Sequence, residues 1–129
     1  MLDTSVARID IKLRVQGKDE ALGELIRFLA PRTVEGILQK LPHEGRAFLL
    51  KDGVYFALPL KIGFEKARKN VEAGTLAYWP LATAFCIFYS KTQTYSPVNV
   101  VGRITNNLHI FQKIVDGTRI KIALRARGK

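Results

Sequence analysis

Residues 74–129 form a succession of short, apolar, β-favouring runs with no strand–helix–strand rhythm, and this order restricts the fold more than any other feature. Residues 75–79 and 84–89 are aromatic-rich runs separated by Pro80, Leu81, Ala82 and Thr83. Ser96 and Pro97 precede a valine-rich strand over residues 98–104. Residues 108–115 are the helical exception, with Leu108, Phe111, Ile114 and Val115 on one face. Asp116 and Gly117 mark a turn. The last run then alternates, burying Ile120, Ile122 and Leu124 and exposing Arg119, Lys121, Arg125 and Arg127.

The first half carries similar signals. Residues 8–15 alternate, with Ile9, Ile11, Leu13 and Val15 on one side and Arg8, Asp10, Lys12 and Arg14 on the other, as in a half-buried strand. Residues 16–19 supply a turn. Residues 21–29 fit both a helical stripe (Leu22, Leu25, Ile26, Leu29) and one face of a strand (Glu24, Ile26, Phe28), and periodicity does not decide between them. Pro31 suits the first turn of a helix whose face is Val34, Ile37, Leu38 and Leu41, closed by Pro42. Residues 45–58 read as a hairpin turning at Lys51-Asp52-Gly53. Residues 63–73 are charged and read as an exposed connection. About eight strands and two helices in 129 residues argue for an antiparallel barrel, which also removes exposed sheet edges.

A chain of this length is expected to be one domain over residues 1–129. No apolar run approaches the ~20 residues that span a bilayer, so no membrane partner is expected. The start MLDTSVARID lacks a basic, then apolar, pattern, so no secretory signal is expected and the location is expected to be cytoplasmic. Cys86 is the only cysteine, which rules out an intrachain disulfide. The net charge of +10 attracts polyanions. It reads either as a solvated basic surface or as a nucleic-acid-binding face, although no recognised nucleic-acid motif accompanies it.

Several motifs then resemble the cyclophilins. Pro31-Arg32-Thr33-Val34-Glu35 resembles the Pro-Lys-Thr-Val-Glu that opens the first cyclophilin helix, and Gly74-Thr75-Leu76-Ala77 resembles the strand before the substrate groove. Val101-Gly102-Arg103-Ile104 followed by Phe111-Gln112-Lys113-Ile114 resembles the late Phe-Gly-Arg-Val strand and the second helix. Tyr78-Trp79-Pro80, residues 84–88, Lys91-Thr92 and residues 98–104 are more similar still to a small prokaryotic cyclophilin-like family of uncharacterised function. The likeness runs from about Arg8 to Leu124 and makes residues 21–29 a second strand. It implies a mainly β fold: a closed eight-stranded antiparallel barrel with a short helix capping each end.

The resemblance also implies what active members need. The cis–trans barrier of ~18–20 kcal/mol is lowered by binding the twisted peptide bond better than the planar one. An Arg guanidinium does this in a groove shaped by a Phe, a Gln and a His. Here the Phe-His-Arg strand corresponds to residues 54–59, which contain no Arg. The Ser-Gln-Phe-Phe of the groove falls near Thr83 to Cys86, and the His falls near Val98. Trp79 and Pro80 stand in place of a small Ala and an Asn. Efficient isomerase activity is therefore not expected, and no catalytic residue is assigned.

The residues expected to line an aromatic mouth or groove are Tyr55, Phe56, Tyr78, Trp79, Pro80, Cys86, Tyr95 and Asn99, with Phe88 and Arg103 beside them. For Phe88 and Cys86 the alternative is simple core filling. His43 and His109 are isolated, so no metal is expected, and no cofactor motif is present. Three functions follow as expectations: binding of a small molecule or peptide at the aromatic groove; weak, atypical isomerisation using Arg103; or nucleic-acid and anion binding. The last would use Arg119, Lys121, Arg125 and Arg127, extended by Arg8, Lys12 and Arg14 if the first and last strands are neighbours.

Overall fold

Alternation in the first strand carries directly into the computed structural model, which describes residues 7–126. β1 (Arg8–Val15) buries Ile11, Leu13 and Val15 and leaves Arg14 exposed. β2 (Glu20–Ile26) returns antiparallel, placing Leu13 opposite Ala21 and Arg14 opposite Glu20. The ambiguous segment is thus a strand, followed by a 3-10 turn at Arg27–Leu29. Helix α1 (Pro31–Lys40) begins at the proline and buries Thr33, Val34 and Ile37. β3 (His43–Leu50) and β4 (Gly53–Ala57) form the expected hairpin around Lys51 and Asp52, with Asp52 itself at φ 60°.

Four expectations change in the second half. β5 (Arg68–Val71) occupies the stretch read as an exposed connection. Only its Val71 is buried; the strand exists because it pairs with the beginning of β8, a tertiary contact that local sequence does not announce. β6 (Thr75–Trp79) and β7 (Ala84–Phe88) fall as expected, but β8 (Thr92–Asn106) runs for 15 residues straight through Pro97. Pro97 is tolerated because the β5–β8 register shifts there, so its missing N–H interrupts no regular ladder. The expected second helix is a 3-10 segment, Leu108–Lys113. Its tighter period buries Ile110, Phe111 and Ile114 but turns Val115 outward. In β9 (Thr118–Leu124), Ile120 and Ile122 are buried, whereas Leu124 is 54% exposed where the strand ends.

The strand order is β2-β1-β9-β3-β4-β7-β6-β8, and β8 pairs back onto β2. Eight antiparallel strands therefore close a barrel, with β5 appended to β8 outside the ring. β2 and β8 run in opposite directions, so α1 and the 3-10 segment that follow them close opposite ends. Leu25, Phe56, Leu76, Tyr78, Phe85 and Phe111 are among the fully buried side chains that fill the interior.

Closure happens where β2 meets β8. Gly102 lies opposite Leu25, and a Cβ there would stand 2.0 Å from the Glu24 carbonyl oxygen. Gly23 is nearly as tight, its virtual Cβ 2.8 Å from the Arg103 carbonyl oxygen. On the outside of this seam, Glu24 Oε2 accepts hydrogen bonds from Arg103 Nε at 2.8 Å and Arg8 Nη1 at 2.9 Å.

Gly102→Ala must part the backbones at the seam and should cost at least about 3 kcal/mol in denaturant melts. Gly63→Ala has nothing within 4 Å to meet and should change stability by less than about 0.5 kcal/mol. Equal effects at the two positions would show that closure does not depend on Gly102.

Candidate functional site

Of the aromatic candidates, Phe56 and Tyr78 pack inside the barrel, whereas Tyr55 and Trp79 lie on its outer wall. Phe56 stacks on Phe85 at 5.4 Å and lies beside His43 at 6.0 Å, all part of, or against, the core. Tyr78 is fully buried. Its hydroxyl donates to the Leu58 carbonyl at 2.8 Å and accepts from the Leu60 N–H at 3.1 Å. Burial raises the Tyr78 pKa, with the Leu60 hydrogen bond working in the opposite sense. Phe56 and Tyr78 therefore fill the barrel, and among the described residues no buried side-chain polar atom lacks a partner.

Asn99 is also wholly buried and pins the long β4–β5 loop. Its Nδ2 donates to Thr33 Oγ1 at 3.0 Å and to the Gly63 carbonyl at 2.9 Å, while its Oδ1 accepts from the Glu65 N–H at 2.8 Å. Glu65 reaches back to the start of α1. Its carboxylate accepts the N–H groups of Arg32 at 3.0 Å and Thr33 at 2.8 Å, and the Thr33 hydroxyl at 2.8 Å. Burial alone would raise the Glu65 pKa, but these hydrogen bonds outweigh it and hold the carboxyl below its ordinary value. The arrangement caps the helix, meeting two N–H groups that have no partner within it.

The outer wall of β3, β4, β7 and β6 carries a different population. The two-residue turn at Lys51-Asp52 sets Phe48 opposite Tyr55, their rings 6.1 Å apart. Tyr55 meets Trp79 edge-on at 5.8 Å. Behind this aromatic row lies a second apolar cluster of Val71, Ala77, Cys86, Phe88 and Val98, packed with Leu50 and Val100. The start of β8 crosses this face, and Trp79 Nε1 donates to Ser96 Oγ at 2.6 Å. Trp79, Cys86, Phe88, Thr94, Tyr95 and Ser96 surround a residual space of about 10 Å³, room for about one water. Trp79 thus fills the groove more than it lines it. Burial pushes the Cys86 thiol pKa up, as befits an inert core residue.

The structure therefore brings together Tyr55, Trp79, Cys86, Phe88 and Tyr95, with Pro80 opening the 3-10 turn beside Trp79. It does not gather Phe56, Tyr78 or Asn99 with them. Arg103 sits on the barrel seam, bound to Glu24, and not in the groove. The candidate residues that do come together lie on the outer wall, while a separate cleft of about 560 Å³ opens between α1 and the β4–β5 loop beside Gly36, Leu60 and Ile62. Phe48, 41% exposed, is the residue that sequence reasoning missed. The hairpin register, counted outward from the turn, would have found it.

β1 and β9 are neighbours, so the cationic faces do join: Arg14 lies opposite Lys121, and Lys12 opposite Ala123. Arg8 is drawn away to Glu24. Arg125 is exposed just beyond β9, and Arg127 lies outside the described residues. His43 Nε2 is 2.8 Å from the Ala57 carbonyl, and His109 is exposed. Among the described residues no group of three or more His, Cys, Asp or Glu side chains could hold a metal ion. Nor is any helix there long and apolar enough to cross a membrane.

A sealed antiparallel barrel with an apolar outer groove is the architecture of the cyclophilin fold. The chain matches the family model described as cyclophilin-like over residues 9–123, and it belongs to that family. It is similar to the solution structure of the hypothetical protein AF2241 from Archaeoglobus fulgidus, at 28% identity and a TM-score of 0.78, covering 92% of this chain and 96% of that one. It also shares its fold with McbB, solved in complex with tryptophan, at 13% identity and a TM-score of 0.72. That match covers 92% of this chain and 45% of McbB. Among curated proteins, none matches the chain.

The Glu65 cap has a pH signature. A carboxyl whose folded pKa is depressed stabilises the fold fully above its ordinary value of 4.5 and loses that contribution as pH falls through the folded value. Glu65→Gln should flatten this acid limb of a pH–stability profile. An unchanged limb in the variant would remove Glu65 from the role.

Proposed function

We propose that this protein is a binding module without prolyl isomerase activity, taking a small molecule or peptide that presents a flat apolar group to the outer wall. The observation that carries this reading is the continuous ring series from Phe48 through Tyr55 to Trp79, half-exposed at Tyr55 and Trp79. Aromatic side chains that keep part of their area in water, with a polar atom at one end, suit such recognition. Entry displaces Tyr95, which is 88% exposed, from the rim of the filled groove. The lack of isomerisation rests on the cation. The strand that would supply it offers Tyr55 and Phe56, and Arg103 is committed to Glu24 on the seam.

Trp79 is the only tryptophan, so its emission reports on the groove directly. Titration with a panel of proline peptides and aromatic small molecules should give a saturable shift for at least one class. Tyr55→Ala should weaken that binding by about tenfold or more. In a prolyl-isomerase assay at high protein concentration, the rate should equal the uncatalysed rate. Catalysis abolished by Tyr55→Ala or Trp79→Ala would overturn the reading, as would a panel to which the emission never responds.

A further inference from the structure

Around the barrel from the aromatic row, the outer faces of β1, β9 and β3 carry a continuous cationic trough. Two clefts of about 370 and 240 Å³ share Arg14 and Lys121 as walls. The register explains their continuity: Arg14 lies opposite Lys121, and Arg119 lies opposite Arg46 on the next strand. Three carboxylates lie on this outer face: Asp10, two residues before Lys12 on β1, Glu20, and Glu44, which stands opposite Lys121. Glu20 pairs with Arg14 at 3.6 Å and Glu44 with Arg119 at 3.2 Å. Among the described residues no carboxylate lies within 4.0 Å of a Lys12, Lys121 or Arg46 side-chain nitrogen. Lys12, Lys121 and Arg46 thus make no ion pair among the described residues, Arg46 reaching the Gly117 carbonyl at 3.5 Å, on a chain whose net charge is +10.

The trough ends at aromatic rings. Phe48 follows Arg46 by two residues on β3, so both project from the same face of the sheet. Phe48 is 41% exposed and leans on Tyr55. A ladder of cations attracts any polyanion; a ladder that runs into an exposed ring distinguishes among them. Bases stack on such rings only where their faces are free, which a duplex does not permit.

We infer that the β1–β9–β3 face binds single-stranded nucleic acid, with Lys12, Lys121 and Arg46 meeting successive phosphates and Phe48 receiving a base. From Lys12 to Phe48 the row crosses two strand spacings and advances six residues along the strands, a diagonal of about 22 Å. That length suits about four nucleotides, the low end of the range for small β-barrels. This surface is separate from the filled groove around Trp79 and meets the aromatic row only at its Phe48 end.

Fluorescence polarisation with labelled oligo(dT) of about 12 nucleotides, and a duplex of equal length, tests the inference between about 50 and 200 mM salt. The single strand should bind with log affinity falling linearly in log salt, at a slope of about −2 to −3 for three or four phosphate contacts. Lys121→Glu combined with Arg46→Glu should weaken binding by about tenfold or more and make the slope shallower by about one to two. Phe48→Ala should cost the single strand about fivefold and the duplex nothing. Lys61→Glu, on the β4–β5 loop, should cost far less than the paired reversal, and Trp79→Ala should leave oligonucleotide affinity unchanged. The inference is overturned by no binding at the lower salt. It is equally overturned by Lys61→Glu costing as much as the paired reversal, or by a duplex bound as tightly with Phe48→Ala silent. The paired reversal should leave the Trp79 titration intact, so this inference and the groove reading fail separately.

Discussion

The barrel depends on two backbones coming closer than any side chain would allow. At the β2–β8 seam the α-hydrogen of Gly102 faces the Glu24 carbonyl, and the ladder could not form around a methyl group there. Register shifts on both flanks of this seam bend β8 sharply enough to complete the ring. Arg8 and Arg103 then grip one carboxylate oxygen of Glu24 from both sides, joining β1, β2 and β8. Those ion pairs are half-exposed and add little alone. They lie outside because the backbone register of the three strands turns Arg8, Glu24 and Arg103 outward together.

The ring of eight strands packs Phe56, Phe85 and Phe111 inside, with Tyr78 bonded to two backbone groups. Both ends are plugged, one by α1 and one by the segment around Phe111. On the outer wall two chemistries sit side by side. The aromatic row lies over β3, β4 and β6, and the cationic trough over β1, β9 and β3. β3 belongs to both, with Arg46 and Phe48 two residues apart.

Much of this was legible in the residues. Alternation at Ile11, Leu13 and Val15 gave β1, Pro31 gave the start of α1, and Lys51-Asp52 gave the hairpin. The motif around Gly102 pointed to the barrel, although its physical purpose emerged only from the seam. What stayed hidden was set by contacts between distant segments. β5 has one buried residue and no pattern, and exists through β8. Tyr78, Phe56 and Asn99 looked like ligand contacts because aromatic and amide side chains serve ligands and cores alike. Only the inward direction of Tyr78, and the loop that Asn99 holds, separate the two uses. Trp79 and Tyr55 came together as expected, whereas Phe48 required counting a register across the turn.

β8 belongs to two layers at once. Its first residues lie over the outer apolar cluster beside β5, and its later residues complete the barrel between β6 and β2. Asn99 marks the boundary, held at Thr33, Gly63 and Glu65. Anything that lifts Tyr95 and Ser96 from the wall therefore meets a fixed point three residues further on. The strand is thus built like a leaf on a mounted hinge: its outer half is held by the Trp79–Ser96 bond, the Thr94–Lys69 bond and the β5 ladder, and its inner half by the ring itself.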